Sequence, residues 1–392
     1  HNLGVVLLDQ GAYDEARRAD ERALAIWEKA LGPAHPDVAV ALTNLGNSYA
    51  AEGDNDAARP HFERALAIWE KALGPEHLDV ALGLHNLGGV LAAQGAHDEA
   101  RRYFERALAI QERVLGPEHP DVAGTLRSLG DVLKVVREYE EAERLHARAL
   151  AIWERALGPD HPGVAHSLNS LGTLCFAQGK LAEARAYHER ALALREHALG
   201  PDHPGVAVSL NNLGNVSLAE GKHEEARRQQ ARAAAIWEKA LGPDHPNLAG
   251  SLNNLGSACL ALGKRDEAHR HQVRALAIWE KAVGPDDPAV AGALIALAEA
   301  DLALGRSREA RTGAERAIAI LASGSAPSAA FAEGPSAALA EGRFVLARAL
   351  WSLGGERTRA LELARQARDG FSQGGVTSAH QLAEVARWLR DH

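Results

Sequence analysis

Between Pro36 and Gly74 the apolar residues fall into two stripes. Val38, Leu42, Leu45 and Tyr49 recur at spacings of four, three and four, which marks one face of an α-helix. Gly53-Asp54 interrupts this face. Ala58, Phe62, Ala65, Trp69 and Ala72 then resume the rhythm until Gly74-Pro75 ends it. Pro36 suits a first helical turn, where its missing N–H leaves nothing unpaired. The pattern predicts a hairpin of two amphipathic helices.

That hairpin is restated along the chain. Gly-Pro recurs at Gly32-Pro33, Gly74-Pro75, Gly116-Pro117, Gly158-Pro159, Gly200-Pro201, Gly242-Pro243 and Gly284-Pro285, always 42 residues on. Leu-Gly keeps the same step from Leu3-Gly4 through Leu45-Gly46 to Leu255-Gly256. A period without insertion implies that each unit packs on the next in one fixed way. Glycine inside a helix costs about 1 kcal/mol relative to alanine, so its recurrence at Gly46 and its equivalents implies close helix approach, as does Ala58. A lone hairpin cannot bury its stripes, and roughly three or more must stack. The expected fold is an all-α solenoid.

In order, Leu45, Gly46, Tyr49, Ala58, Phe62 and Ala65 resemble the tetratricopeptide repeat. The common form of that repeat has about 34 residues. Here "AIWEKAL" lengthens the second helix and "GPxHPDVA" supplies the linker, which is similar to the repeats of kinesin light chains and of many bacterial regulatory proteins. The resemblance covers residues 1–321, with a truncated first unit and a divergent last one, where Asp287 replaces the linker histidine and Ala298 the glycine. It implies a right-handed superhelix whose first helices line a concave groove for peptides. Residues 322–341, rich in Ala, Ser, Gly and Pro, read as a linker. Residues 342–392 read as an irregular hairpin and a capping helix with Leu382, Val385 and Leu389 on one side. This tail resembles the ends of repeat arms attached to myxobacterial serine/threonine kinases.

Composition narrows the partners. A net charge of −9 argues against nucleic acid, and Arg101-Arg102 or Arg227-Arg228 are too short for a basic footprint. No apolar run approaches the roughly 20 residues of a membrane span. Cys175 and Cys259 occupy the same place two repeats apart. Stacked helices step by about 8–10 Å, beyond the about 7 Å Cα limit of a disulfide. Both thiols are therefore expected in the core, in a cytoplasmic protein. The chain opens inside a helix and contains no Met, as a piece of a longer protein would.

Candidate chemistry is sparse, and the chain is expected to be a non-enzyme without cofactor or metal. His35, His77, His119, His161, His203 and His245 stand one per linker, too far apart to share an ion, and are expected to pack there or cap the next helix. His188-Glu189-Arg190 and His223-Glu224-Glu225 lack the second His of a zinc-protease helix. Cys175 with His166 could make a nucleophile and base, but a Cys on a core stripe reads as packing. Trp27, Trp69, Trp153, Trp237 and Trp279, with Gln111 and Arg195 substituting, read as a seam between hairpins.

The asparagines are the informative polar feature. Asn44, Asn86, Asn212 and Asn254 precede Leu-Gly, and His85, Arg127, Asn169, Asn211 and Asn253 stand one residue earlier. By the resemblance, Asn44, Asn86, Asn212 and Asn254 match positions that hydrogen-bond the backbone of a bound peptide, and Asn47 and Asn215 would share that face. An amide both donates and accepts, as a peptide bond does. The competing expectation is that the same amides bond between helices and only fix the stack. The expected function is a protein-interaction module binding a protein or peptide segment. Alternatives are the regulatory arm of a larger kinase or STAND-type ATPase, and a self-associating structural array, against which the charged face of the last helix argues.

Overall fold

In a computed structural model, residues 13–323, 335–372 and 379–392 are described, and among them are eighteen helices and no strand. Leu3-Gly4, part of the truncated first unit, lies outside the described residues. The helices are α1 (Tyr13–Leu31), α2 (Pro36–Ala51), α3 (Asn55–Leu73), α4 (Leu78–Ala93), α5 (His97–Leu115) and α6 (Pro120–Val135). They continue as α7 (Tyr139–Leu157), α8 (Pro162–Ala177), α9 (Leu181–Leu199), α10 (Pro204–Ala219), α11 (His223–Leu241) and α12 (Pro246–Ala261). The last are α13 (Arg265–Val283), α14 (Pro288–Ala303), α15 (Ser307–Ala322), α16 (Pro335–Leu353), α17 (Arg357–Ser372) and α18 (Ala379–Asp391). The chain divides into two units, His1–Leu174 and Cys175–His392.

In the first unit, hairpins α2/α3, α4/α5 and α6/α7 stack in chain order around Leu42, Phe62, Trp69, Leu84 and Phe104. In the second, α10/α11, α12/α13, α14/α15 and α16/α17 do the same, and α18 closes the array by burying Val385 against Phe344 and Phe371. Successive first helices touch one another: α4 meets α6 in the first unit, and α10, α12, α14 and α16 meet in turn in the second. The segment 322–341, expected to be a linker, is corrected in part. The helix α16 already begins at Pro335, and Ala337, Ala338 and Ala340 are buried. Its Ala-rich composition suits a helix as well as a linker. Residues 324–334 lie outside the described ones.

The linker histidines are helix caps. In His35, His77, His119, His161, His203 and His245, Nδ1 accepts the N–H of the residue two further on, at 3.0–3.2 Å. Asp287, read from sequence as a sign of divergence, performs the same task, its Oδ1 accepting from Ala289 N–H at 2.7 Å. His119→Ala is therefore expected to cost about 0.5–2 kcal/mol, the usual loss of an N-cap. His119→Asp should keep most of that, as urea-unfolding midpoints of the two variants would show. Equal losses would contradict capping.

At Gly46, Gly88, Gly130, Gly214 and Gly256 a first-helix glycine meets a second-helix side chain of the same hairpin. A Cβ on Gly46 would stand 2.7 Å from Phe62 Cε1, one on Gly130 2.8 Å from His146 Nε2, and one on Gly256 2.5 Å from Gln272 Nε2. Along the array this second-helix place runs Phe62, Phe104, His146, His188, Gln230, Gln272 and Ala314, all buried. Where it has shrunk to Ala314, the opposing residue is Ala298 rather than glycine.

Between hairpins an arginine clamp recurs. Arg106 meets Glu70 and Arg148 meets Glu112 in the first unit, while Arg232, Arg274 and Arg316 meet Glu196, Glu238 and Glu280 in the second, at 2.5–2.7 Å. Arg148, Arg232 and Arg316 also donate to the carbonyls of Pro117, Pro201 and Pro285 in the preceding linker. The Trp series packs on the same seams. Trp69, Trp153 and Trp237 are buried, Gly83 and Gly163 leaving room for the first two. Where Arg195 replaces Trp, it donates to Ser209 at 2.7 Å and to the Gly205 carbonyl.

Candidate functional site

In the second unit the first helices α10, α12, α14 and α16 enclose a groove cavity of about 610 Å³. Four of the sequence-predicted residues line it: Asn211, Asn215, Asn253 and Asn254. They converge because first helices succeed one another with the same face inward, so equivalent positions form a column. Trp237, Trp279, Glu299 and Glu341 also line it.

The amides divide between two tasks. Asn254 Nδ2 donates to Asn211 Oδ1 at 3.2 Å and to Asn215 Oδ1 at 2.9 Å, so this trio ties α12 to α10. Gln230 Nε2 reinforces it from behind, donating to the Asn211 carbonyl and to Asn215 Oδ1. Asn253 differs. Its backbone carbonyl accepts from Gln272, but its Oδ1 is buried without a hydrogen-bond partner among the described residues. A buried amide oxygen left bare costs about 1–3 kcal/mol, a cost that a donor from a ligand would remove.

Sequence reading missed Glu299, which occupies the repeat position of Asn47 and Asn215. The repeat register alone could have found it, had the position rather than the residue type been followed. Burial raises its carboxyl above the usual range, against the attraction of Arg348, 3.7 Å away, and with the repulsion of Glu384. It lies low in the groove yet remains in touch with solvent.

The predicted residues of the first unit do not join this cavity. His85 pairs with the Thr125 hydroxyl at 3.1 Å and stands edge-on to Phe104, linking α4 to α6. Arg127 reaches His166 Nε2 at 3.4 Å and Asp131 at 3.6 Å. Asp131 is also approached by Lys134, His146 and His166; burial would raise its carboxyl, but the neighbouring His166 and the charge of Lys134 hold it below the usual range. Asn44 and Asn86 are half-buried on α2 and α4, and Asn47 is exposed. Asn169 on α8 and Asn212 on α10 are also half-buried. Cys175 is buried against Ala184 and Val216, as packing requires, and Cys175 and Cys259 are not joined in a disulfide. No helix among the described residues is long and apolar enough to cross a membrane.

A tetratricopeptide repeat model matches residues 1–71, 37–112, 79–135, 121–197, 169–229, 206–280 and 252–323. The apo form of the quorum sensor NprR from B. thuringiensis is 13% identical over 94% of this chain and 97% of its own, with a TM-score of 0.69. Apo RapI is 15% identical, covering 75% of this chain and 99% of its own, with a TM-score of 0.58. A putative kinesin light chain of nearly identical TPR-like repeats from Podosopora anserina is 27% identical over 52% of this chain and 97% of its own, with a TM-score of 0.45. No curated protein matches the chain.

Proposed function

The chain belongs to the tetratricopeptide-repeat family, and from that premise we propose that its second unit binds an extended protein segment along α10, α12, α14 and α16. The observation that carries this reading is the groove cavity of about 610 Å³ that has Asn253, whose buried Oδ1 is bare, among its lining residues. Turned toward the cavity, that acceptor would take the backbone N–H of a segment lying along the groove. Trp237 and Trp279 supply apolar area for a side chain, and Glu299 and Glu341 favour a cationic residue or amino terminus at their end. Amides, indoles and carboxylates so placed support recognition, with the stack of hairpins as a scaffold. Asn254 is assigned to holding the groove's shape, since both of its donor contacts are to Asn211 and Asn215.

Selection from a random-peptide display library, followed by affinity measurement on the full chain, tests this. Peptides enriched on the wild type should bind Asn253→Ala and Glu299→Gln at least about tenfold more weakly, the scale of one lost hydrogen bond to a buried or charged group. The variants should have unchanged helicity. Enriched peptides that bind both variants as tightly as wild type would remove the groove from the reading.

A further inference from the structure

On the α12/α13 hairpin three metal-ligating groups come together away from the groove residues. Cys259 is buried on α12. Glu267 and His271 stand four apart on α13, hence on one face of it. The Cys259 sulfur, a Glu267 carboxylate oxygen and a His271 ring nitrogen all lie within 4.8 Å of one another, and Glu267 Oε1 is 3.8 Å from His271 Nε2. We propose that Cys259, Glu267 and His271 form a site for a zinc-class divalent cation, which staples α13 to the helix that carries Asn253 and Asn254.

The chemistry of the donors fits that cation. Zinc takes thiolate, imidazole and carboxylate at about 2.0–2.3 Å, and tetrahedral geometry then sets ligand atoms roughly 3.3–3.8 Å apart. The present separations need only a small contraction of side chains. Water would fill the fourth position, as it does in three-ligand zinc sites. Binding replaces the thiol proton: Cys–SH and M²⁺ give Cys–S⁻–M²⁺ and a released H⁺. Burial and then Glu267 push that thiol up to about 11, so at neutral pH it is a proton that presently separates two electron-rich groups.

The preceding repeats show what this place asks for. One repeat earlier the three positions hold Ser217, Glu225 and Gln229, which are mutually hydrogen-bonded, Ser217 to Gln229 at 2.8 Å and Gln229 to Glu225 at 3.0 Å. There the guanidinium of Arg185 inserts, donating to Ser217 at 2.9 Å and Glu225 at 2.8 Å. The corresponding Arg227 instead donates to Glu224 at 3.0 Å. Its cation is turned aside where the ligands have become Cys and His. Two repeats earlier, Cys175 and Glu183 are accompanied by Tyr187, so that thiol lacks the imidazole. Arg227 and Lys264 remain near enough to Cys259 to repel a cation, which places the affinity below that of a closed four-ligand site.

Titration of the metal-free chain, residues 1–392, with Co²⁺ alone tests the site. The wild type should take up one equivalent, with a thiolate-to-cobalt charge-transfer band and the strong visible absorption of tetrahedral cobalt, both displaced by Zn²⁺. Cys259→Ser should abolish the charge-transfer band, and Cys175→Ser should leave it intact. His271→Tyr, which copies the residue beside Cys175, should weaken binding beyond the roughly 10–100-fold that loss of an outer-shell partner costs. Circular dichroism of each variant without metal checks folding. Absence of the band in the wild type, its loss in Cys175→Ser, or its survival in Cys259→Ser would each overturn the assignment, and so would undiminished affinity in His271→Tyr.

Discussion

Phe62→Ala is expected to lower stability by about 3–5 kcal/mol and Gly46→Ala by about 1–3 kcal/mol, yet the second change should cost little once the first is present. Phe62 is 2% exposed, so its ring has no free side to retreat to. A Cβ at residue 46 would stand 2.7 Å from Cε1 and 2.8 Å from Cζ of that ring, closer than carbon atoms pack. Alanine is the better helix former by about 1 kcal/mol, so only the facing ring makes the glycine necessary. The chain itself supplies the comparison, since Ala298 stands in place of the glycine where Ala314 stands in place of the ring. In the Phe62→Ala background the new methyl enters the space the ring has left. A double-mutant cycle from urea-unfolding midpoints should show a coupling of at least about 1 kcal/mol. An unchanged cost of Gly46→Ala in the two backgrounds would mean that close approach is not why residue 46 is glycine.

The second large effect is acid sensitivity. His146 and His188 occupy the place of Phe62 and Phe104, are 0% and 1% exposed, and have pKa values lowered from 6.5 to about 4. Burial is the main cause for both. Around His146, Asp131 opposes the shift, while Lys134, His166 and Arg127 add to it; at His188, Arg195 adds to it. A histidine whose folded pKa is depressed costs nothing above pH 6.5, where it is neutral in both states. As pH falls below 6.5 the unfolded chain takes up the proton first, and stability is lost progressively down to about pH 4. The loss is roughly 3 kcal/mol for each of the two histidines. The charge of Asp131, held below its usual range, adds its own loss only at lower pH. His146→Phe with His188→Phe restores the side chain that the earlier hairpins already seat against their glycines. Between pH 7 and pH 4.5 this variant's urea midpoint should fall far less than that of the wild type; what remains comes from His85, whose pKa burial also lowers to about 4. A parallel fall in both proteins would rule out these histidines as the source.

How much could be read beforehand follows from what each residue depends on. The hairpins and their seams follow from local chemistry: Gly74 ends a helix with φ +87°, Pro36 starts one, and a linker histidine caps it. Asp287 was read as a departure because its type changed, although its task did not. The run from Phe62 through His146 and Gln230 to Ala314 was harder to see. Polar residues at a core position look like interruptions of a stripe, and only the facing glycine shows that they are buried. The groove asparagines follow from the resemblance to the repeat family, but whether an amide is engaged depends on the next hairpin. Asn254 is taken up by Asn211 and Asn215, and Asn253 keeps a bare oxygen. Glu267 and His271 are legible as a pair four residues apart, yet Cys259 joins them only through the turn between α12 and α13. The start of α16 at Pro335 was hidden because alanine and serine are as common in linkers as in helices.

The recurring arginine clamp has a consequence for how such a chain changes over generations. Each 42-residue hairpin that carries the clamp presents its neighbour with the same glutamate and arginine, so a copy inserted or lost in whole periods meets surfaces that already fit. Gene duplication can lengthen the groove one hairpin at a time without inventing a new seam. The glycine and its buried partner, by contrast, lie within one hairpin and travel together when it is copied. They are free to drift as a pair, from Gly46 with Phe62 to Ala298 with Ala314, and so keep a record of how far each copy has diverged from its siblings.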